Sequence, residues 1–372
     1  MLSWIEINKK ALESNLTAFK KHVGKSVALM PVIKSNAYGH GLKEIGMICD
    51  AHFGVSRLCV AGLNEAIELS QIGVKKPIQI LSFYDLDFET ISELVSINEI
   101  IFTVYSLEQV NFLNRVGEKV KKKIKIHLKI DTGTTRVGVL PDAALEMALK
   151  VTTKTFLDLE GVFTHFASSE DDKDFTLRQL GLLKKVIVGL NQNNIPLQFN
   201  HSACTAATIL YPETHLNAVR VGLGVYGLHP NKKTKKKIDL KVIMSLNTKV
   251  VQVKSVPKNT SISYARTYTT KKTSLIAVLP MGYYDGYDRR LSNQSEILIH
   301  GVRCKVRGRV SMNLMMVDVT RLKNKIKVGD KATLLGEQKN EMITADELAG
   351  KIGAISYEVV SRLGRHILKI II

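Results

Sequence analysis

The feature that most constrains this chain is a change of grammar near residue 240. From about residue 9 to 230, short apolar runs rich in β-branched residues alternate with stretches of helical spacing. The runs are ALMPVIK (28–34), FGVSRLCVA (53–61), IQILS (78–82), IIFTV (100–104), IKIHLKID (124–131), LEGVFTHF (159–166), LQFNHS (197–202) and AVRVGL (218–223). Between them apolar residues recur three or four apart, as in Leu12, Leu16, Phe19 and in Leu180, Leu183, Ile187, Leu190. One helix has both ends marked: Ser106 followed by Gln109 is a capping-box pairing, and Gly117 predicts the stop. Near-continuous apolar runs predict strands covered on both faces, as in parallel sheets wrapped by helices. Eight strand and helix units in about 220 residues have the size and rhythm of a (β/α)8, TIM-like barrel. A doubly wound open sheet would show the same periodicity.

Beyond the lysine-rich segment HPNKKTKKKIDLK the runs are short, β-branched and separated by Gly, Asn or Lys turns, which predicts an all-β domain. One helix is expected there, over TADELAGKIG, with Thr344 as N-cap, Glu347 at the capping-box position and Gly353 at its end. At 372 residues the chain exceeds the roughly 250–300 at which one core stops growing, so two domains are expected. The expected fold class is α/β plus all-β: residues 1–8 as a strand packing with the C-terminal domain, 9–230 as the barrel, 231–241 as a linker and 242–372 as the β domain.

An apolar fraction of 45% with 23% charged residues excludes disordered and fibrous classes. The net charge of +19 is carried mostly by lysine, with runs at Lys121–Lys123 and Lys232–Lys237 that lack interleaved aromatics or arginine forks. Nucleic-acid readers supply stacking or bidentate arginine, so a solvated basic surface is expected and no nucleic-acid partner. Four scattered cysteines without a CxxC pair, and no histidine cluster at ligand spacing, predict a reduced, cytoplasmic chain without a metal. Glu6 interrupts any signal-peptide core, and no window reaches the roughly 18 apolar residues of a membrane span. Neither export nor membrane insertion is expected.

In a barrel of this kind chemistry sits where the strands end. The first run ends in Lys34; the fifth carries Lys129 and Asp131 and leads to Arg136; the sixth ends at His165. The seventh leads to His201 and Thr205, and the eighth carries Arg220 followed by Gly222, Leu223 and Gly224. A lysine at a desolvated strand end, beside arginine and a glycine-bearing turn fit for phosphate, suits Schiff-base chemistry with pyridoxal 5'-phosphate.

At this point a family resemblance emerges. VIKSNAYGHG (32–41) resembles the cofactor-lysine signature of alanine racemases. The likeness runs in order through LKIDTGTTRVG (128–138), FTHFASSED (163–171), HSACTAAT (201–208), VRVGLGVYGL (219–228), ISYARTY (262–268), MGYYDGYDRRLSN (281–293), GRVSMNLMMVDVT (308–320) and ISYEVVSRLGR (355–365). The resemblance implies a bacterial isomerase that interconverts L- and D-alanine for peptidoglycan, working as a homodimer whose active sites are shared between subunits. It implies that Lys34 carries the cofactor, and that Tyr38, Thr205, Gly222, Leu223 and Tyr357 hold its phosphate. Arg220 would face the pyridine nitrogen. Tyr264 would be the second catalytic base, from the partner subunit, supported by His165; Arg136 and the Met312 backbone would take the substrate carboxylate. Lys129 matches a lysine often carbamylated in the family.

Racemisation itself demands two bases on opposite sides of one carbon, which a lysine and a tyrosine from different domains satisfy. His201 is expected to be structural. Cys204 and Thr205 stand where the family usually has Asn and Ser, and Asn313 where Asp is usual, which bears on substrate breadth. The competing readings are a racemase of another small amino acid, for example serine, and a cofactor-carrying barrel without catalysis, a class that lacks the second domain.

Overall fold

The computed structural model describes residues 2–372. The chain divides into two units, one comprising Lys10–Ala37 and Ile45–Lys241, the other the stretch up to Lys9, Tyr38–Glu44 and Val242–Ile372. Of the strands, β1 (Ser3–Ile7) belongs to the second unit. The first unit is built on β2 (Ala28–Pro31), β3 (Leu58–Val60), β4 (Ile78–Ile80), β5 (Ile100–Val104), β6 (Ile124–Lys129), β7 (Leu157–Phe163) and β8 (Ala218–Val221). β3 to β7 pair in sequence order, β2 pairs with β8, and every pairing is parallel. Bridges Leu29↔Val55 and Val32↔Cys59 join the β2 segment to the β3 segment, and His201 bridges both Phe163 and Ala218. The ring is therefore closed, and helices such as Lys9–Val23 cover it with fully buried Leu12, Leu16 and Phe19. Burying each of these contributes roughly 2–3 kcal/mol.

The run LQFNHS forms the seventh stave through isolated bridges at His201 rather than as a regular strand. Pro196 offers no donor, and the N–H groups of Gln198 and Phe199 both donate to the Glu160 carbonyl at 3.0 Å. The Asn200 side-chain carbonyl then accepts from Val162 N–H at 3.4 Å in place of a backbone partner. Close approach requires Gly161 on β7, because a Cβ there would lie 1.8 Å from the Phe199 carbonyl oxygen. We expect Gly161→Ala to destabilise the barrel by about 3 kcal/mol or more, read as a lowered Tm; an unchanged Tm would mean the seventh stave is free to shift.

The helix Leu107–Val120 starts as expected, with Ser106 Oγ accepting from Gln109 N–H at 3.3 Å and Gln109 Oε1 accepting from Tyr105 N–H at 2.9 Å. Its stop differs from expectation: the helix passes through Gly117 and ends at Lys121, which takes the left-handed φ of 54°. Gly117 answers to packing instead, since a Cβ there would meet Phe156 Cβ at 2.7 Å.

The second unit is a sheet ordered β10-β13-β16-β15-β14-β17-β9-β1-β19, with β18 beside β17 and a separate β11-β12 hairpin. Its strands are β9 (Met244–Lys249), β10 (Gln252–Val256), β11 (Ser261–Ile262), β12 (Tyr268–Thr269), β13 (Ser274–Leu279), β14 (Glu296–Ile299), β15 (Val302–Val306), β16 (Met315–Asp318), β17 (Lys331–Gln338), β18 (Glu341–Ile343) and β19 (Leu368–Ile371). β1 lies antiparallel to β9 and parallel to β19, burying Ile5 and Ile7. The helix Ala345–Ile352 is capped by Thr344, which accepts from Glu347 N–H at 3.0 Å, and ends at left-handed Gly353.

Two boundaries differ from the sequence reading. Residues 38–44, expected in the barrel, group with the β unit, and the lysine-rich segment groups with the barrel up to Lys241. That segment is anchored rather than loose: Asn231 caps the turn Lys232–Lys235, Thr234 is buried, and Asn15 bonds both the N–H and the C=O of Lys241 at 2.8 Å.

Candidate active site

Lys34 follows β2 and opens a turn in which Ser35, Asn36, Ala37 and Tyr38 all have φ between 51° and 56°. Four successive left-handed L-residues cost roughly 1–2 kcal/mol each, so the turn has to be held in place. Ala37 N–H donates to the Ile33 carbonyl at 2.8 Å, Tyr226 Oη donates to the Val32 carbonyl at 2.9 Å, and the Glu65 carboxylate accepts from the N–H groups of Ser35 and Ala61. Burial pushes the Lys34 amine below the ordinary lysine range, the Arg136 cation pushes the same way, and Glu65 opposes them. An amine so placed sheds its proton more readily, as a nucleophile or base must.

Arg136 is set by Asp131. One carboxylate oxygen accepts from the N–H groups of Gly133, Thr134 and Thr135 at 2.9–3.1 Å, and the other from Arg136 N–H at 2.7 Å. Burial alone would raise the Asp131 carboxyl, but these four N–H groups outweigh it and hold the carboxyl below its ordinary value. Lys129, buried on β6, is pushed down to about 8 by desolvation first and then by Arg136 and Arg220.

Arg220, on β8, is buried and bonded through both terminal nitrogens. Its guanidinium donates to the carbonyls of Thr164 at 2.8 Å and Ser202 at 2.9 Å, meets His201 Nδ1, and lies 3.4 Å from His165 Nδ1. Burial lowers it to about 10, so it remains cationic at neutral pH. Burial and then Arg220 push both His165 and His201 far below the usual histidine range, and both are neutral. Beyond β8, Thr205 Oγ1 accepts from Gly222 N–H at 3.0 Å and Gly224 N–H at 3.4 Å, and Leu223 is buried. Gly224 admits no side chain, since its Cβ would lie 2.5 Å from Phe19 Cζ. Cys204 Sγ lies 3.0 Å from Ser169 Oγ.

In the second unit the rings of Tyr38 and Tyr357 stand 6.1 Å apart. Gly39, at φ 84°, follows Tyr38 and approaches Val360 so closely that a Cβ would lie 2.0 Å from its carbonyl oxygen. Tyr264 sits in a turn where Ser263, Ala265 and Arg266 all have positive φ, braced by Ser263 Oγ donating to the Arg309 carbonyl at 2.6 Å. Such clustered strain is typical of functional turns. The Tyr264 side chain is 71% exposed and Met312 54%, and Tyr284, also exposed, donates its N–H to the Met312 carbonyl at 3.0 Å.

The barrel thus brings together Lys34, Lys129, Arg136, His165, Thr205, Arg220 and Gly222 at the strand ends, while Tyr38, Tyr264, Met312 and Tyr357 lie on the β unit. His201, expected to be structural, is bonded directly to Arg220. Glu65 was missed because an acid in the first helical turn ordinarily reads as a charge on the helix dipole. His127 and Glu160 were missed because strands covered on both faces show no polar–apolar alternation to mark which residues point inward. Among the described residues no group of His, Cys, Asp and Glu could hold a metal ion, and no helix is long and apolar enough to cross a membrane.

A closed parallel barrel with a cationic, desolvated rim, joined to a β unit that displays a strained, exposed tyrosine, defines a two-domain barrel enzyme built for proton transfer. Its family is plain from comparison: residues 7–230 match the model "Alanine racemase, N-terminal domain" and residues 243–371 match "Alanine racemase, C-terminal domain". The chain belongs to the alanine racemase family. It is 40% identical to the alanine racemase of Methanococcus maripaludis over 99% of this chain and 98% of that protein. It is 38% identical to that of Halothermothrix orenii over 98% and 95%. Among solved structures it resembles alanine racemase of Clostridium difficile 630, with a TM-score of 0.93 at 33% identity, covering 100% of this chain and 96% of that one. It also resembles that of Bacillus anthracis with bound L-Ala-P, with a TM-score of 0.91 at 32% identity, covering 100% and 95%.

Proposed function

We propose that the protein interconverts L- and D-alanine with pyridoxal 5'-phosphate, acting in the cytoplasm as a homodimer that supplies D-alanine for peptidoglycan. The observation that carries this reading is the half-buried Lys34 amine, held low by desolvation and Arg136 on the same barrel rim as a cationic Arg220. The donor set suits the cofactor. Lys34 offers an amine to bind it, and Thr205 with the N–H groups of the turn at Gly222 and Leu223 offers a phosphate cradle, joined by the hydroxyls of Tyr38 and Tyr357. The exposed Tyr264 suits a second subunit that needs it, and four unpaired cysteines suit a reducing compartment.

When bound, the cofactor supplies the electron sink that makes the Cα–H of the amino acid acidic. The chain's own residues then decide which proton moves. Lys34 Nζ takes or returns the Cα proton of D-alanine, and Tyr264 of the partner subunit takes that of L-alanine as phenolate and returns it as phenol, from the opposite face. Arg136 and the Met312 backbone hold the carboxylate. Arg220, being cationic, would disfavour protonation of a cofactor ring nitrogen held beside it, and so would suppress transamination. His165 supports Tyr264, and Lys129, with an amine lowered to about 8, is the residue open to carbamylation.

The test is subunit mixing. Inactive Lys34→Ala chains and inactive Tyr264→Phe chains, combined, should recover part of the activity through hybrid sites that retain both bases; hybrids that form without activity would exclude a shared site. Asp131→Asn should raise KM for alanine about tenfold with a smaller change in kcat, because it loosens the loop that aims Arg136 while leaving both bases intact. Steady-state kinetics in both directions would show it, and an unchanged KM would remove Arg136 from carboxylate binding. Cys204 and Asn313 make serine the substrate to try beside alanine, with products resolved by chiral chromatography.

A further inference from the structure

The interior of this barrel is polar where such barrels are usually filled with branched apolar side chains. Gln79 on β4, His127 on β6, Glu160 on β7, His201 at the seventh stave and Arg220 on β8 are all buried, as is Arg57 just before β3. The contacts Gln79–His127, His127–His201 and Arg57–Glu160 join staves that are not neighbours, so these side chains reach across the ring interior. Arg57 forms a bidentate pair with Glu160 at 2.8 and 3.3 Å and stacks over Phe199 at 3.8 Å. From Glu160 a chain of contacts leads to the rim: Glu160 Oε2 to His127 Nε2 at 2.7 Å, His127 Nδ1 to His201 Nε2 at 2.8 Å, and His201 Nδ1 to Arg220.

The two ends fix where every proton in this chain lies. A guanidinium can only donate and a carboxylate can only accept. Arg220 donates to His201 Nδ1, so that nitrogen bears a lone pair and the ring proton sits on Nε2. His201 Nε2–H then donates to His127 Nδ1, which leaves the His127 proton on Nε2, donated to Glu160. The opposite polarity, or a cationic His127, would turn a His201 Nδ1–H against the Arg220 donors. The Gln79 amide lies beside this link, with Nε2 at 3.0 Å from His127 Nδ1 and 3.4 Å from His201 Nε2. Burial lowers His127 to about 4 even beside Glu160 and pushes His201 well below the ordinary histidine value, so both rings are neutral. Glu160, held anionic by His127, Arg57 and Lys125, already has its charge matched by Arg57. Arg220 therefore receives an oriented lone pair but no carboxylate, and its positive charge stays unneutralised at the rim.

We propose that Glu160 and His127 are positioning residues for Arg220, fixing both histidines as Nε2–H tautomers so that His201 holds the guanidinium cationic and aimed at the rim. This rests on the reading of Arg220 given above. The first test is neutron diffraction from crystals of the perdeuterated, pyridoxal-phosphate-loaded protein grown in heavy water. Deuterium is expected on Nε2 of both His127 and His201 and on neither Nδ1; deuterium on either Nδ1 overturns the proposal. That result stands whatever Arg220 faces.

The second test compares His127→Leu with His127→Gln, whose amide can accept from His201 and donate to Glu160. His127→Leu orphans the His201 donor. It should lower kcat about tenfold or more and raise the share of turnovers lost to transamination, at unchanged KM. His127→Gln should restore most of both. If the two variants partition alike, the positioning role is overturned, while subunit mixing tests Lys34 and Tyr264 separately. Should His127→Leu fail to fold, the neutron map still decides the tautomers on which the role depends.

Discussion

Lys34→Ala is expected to abolish racemisation, by at least roughly 10³-fold, and with it the visible absorbance that bound pyridoxal phosphate gives through a lysine. The expectation rests on one amine that burial and Arg136 together keep poised to lose its proton, at the start of a turn built to present it. Both effects should appear together, because the proposed function makes one nitrogen both cofactor anchor and base. The fold should survive, since the turn is held by Glu65, Ile33 and Tyr226 rather than by the lysine side chain. A variant that keeps the full band, removable by borohydride, would place the cofactor on another lysine, and Lys129 would be the next to replace.

The second large effect is an asymmetry. In Tyr264→Ala, exchange of the L-alanine α-proton with deuterated solvent should collapse by roughly 10² to 10⁴-fold, the range of a general-base contribution. D-alanine exchange should continue through Lys34. Proton NMR of each enantiomer under identical conditions reads the difference directly, and background exchange cannot produce it because it treats both enantiomers equally. Equal losses would mean that one base serves both faces or that Tyr264 only shapes the pocket.

Much of the fold was legible in the linear chain, for local reasons. Buried parallel strands cannot alternate, so β2 to β8 announced themselves as apolar runs. The caps at Ser106 and Thr344 are satisfied by residues three positions away. The lysine after β2, the tyrosine turn and the arginine of β8 stood in contiguous motifs, so Lys34, Tyr264 and Arg220 could be singled out with nothing but their neighbours in sequence.

What only the tertiary structure decided are the features whose partners are distant in the chain. The seventh stave is held by isolated bridges because two of its N–H groups converge on one carbonyl 38 residues or more upstream, at Glu160. Gly117 is helical because Phe156 crosses it, and Glu65 matters because the turn after Lys34 comes back to meet its carboxylate. The clearest case is the barrel axis. Gln79, His127, Glu160, His201 and Arg220 are spread over more than a hundred residues, and each alone reads as an ordinary polar residue in a strand. A buried polar group is tolerated only with a partner, and here every partner belongs to a different stave, so closure of the ring supplied the network that local pattern could not show.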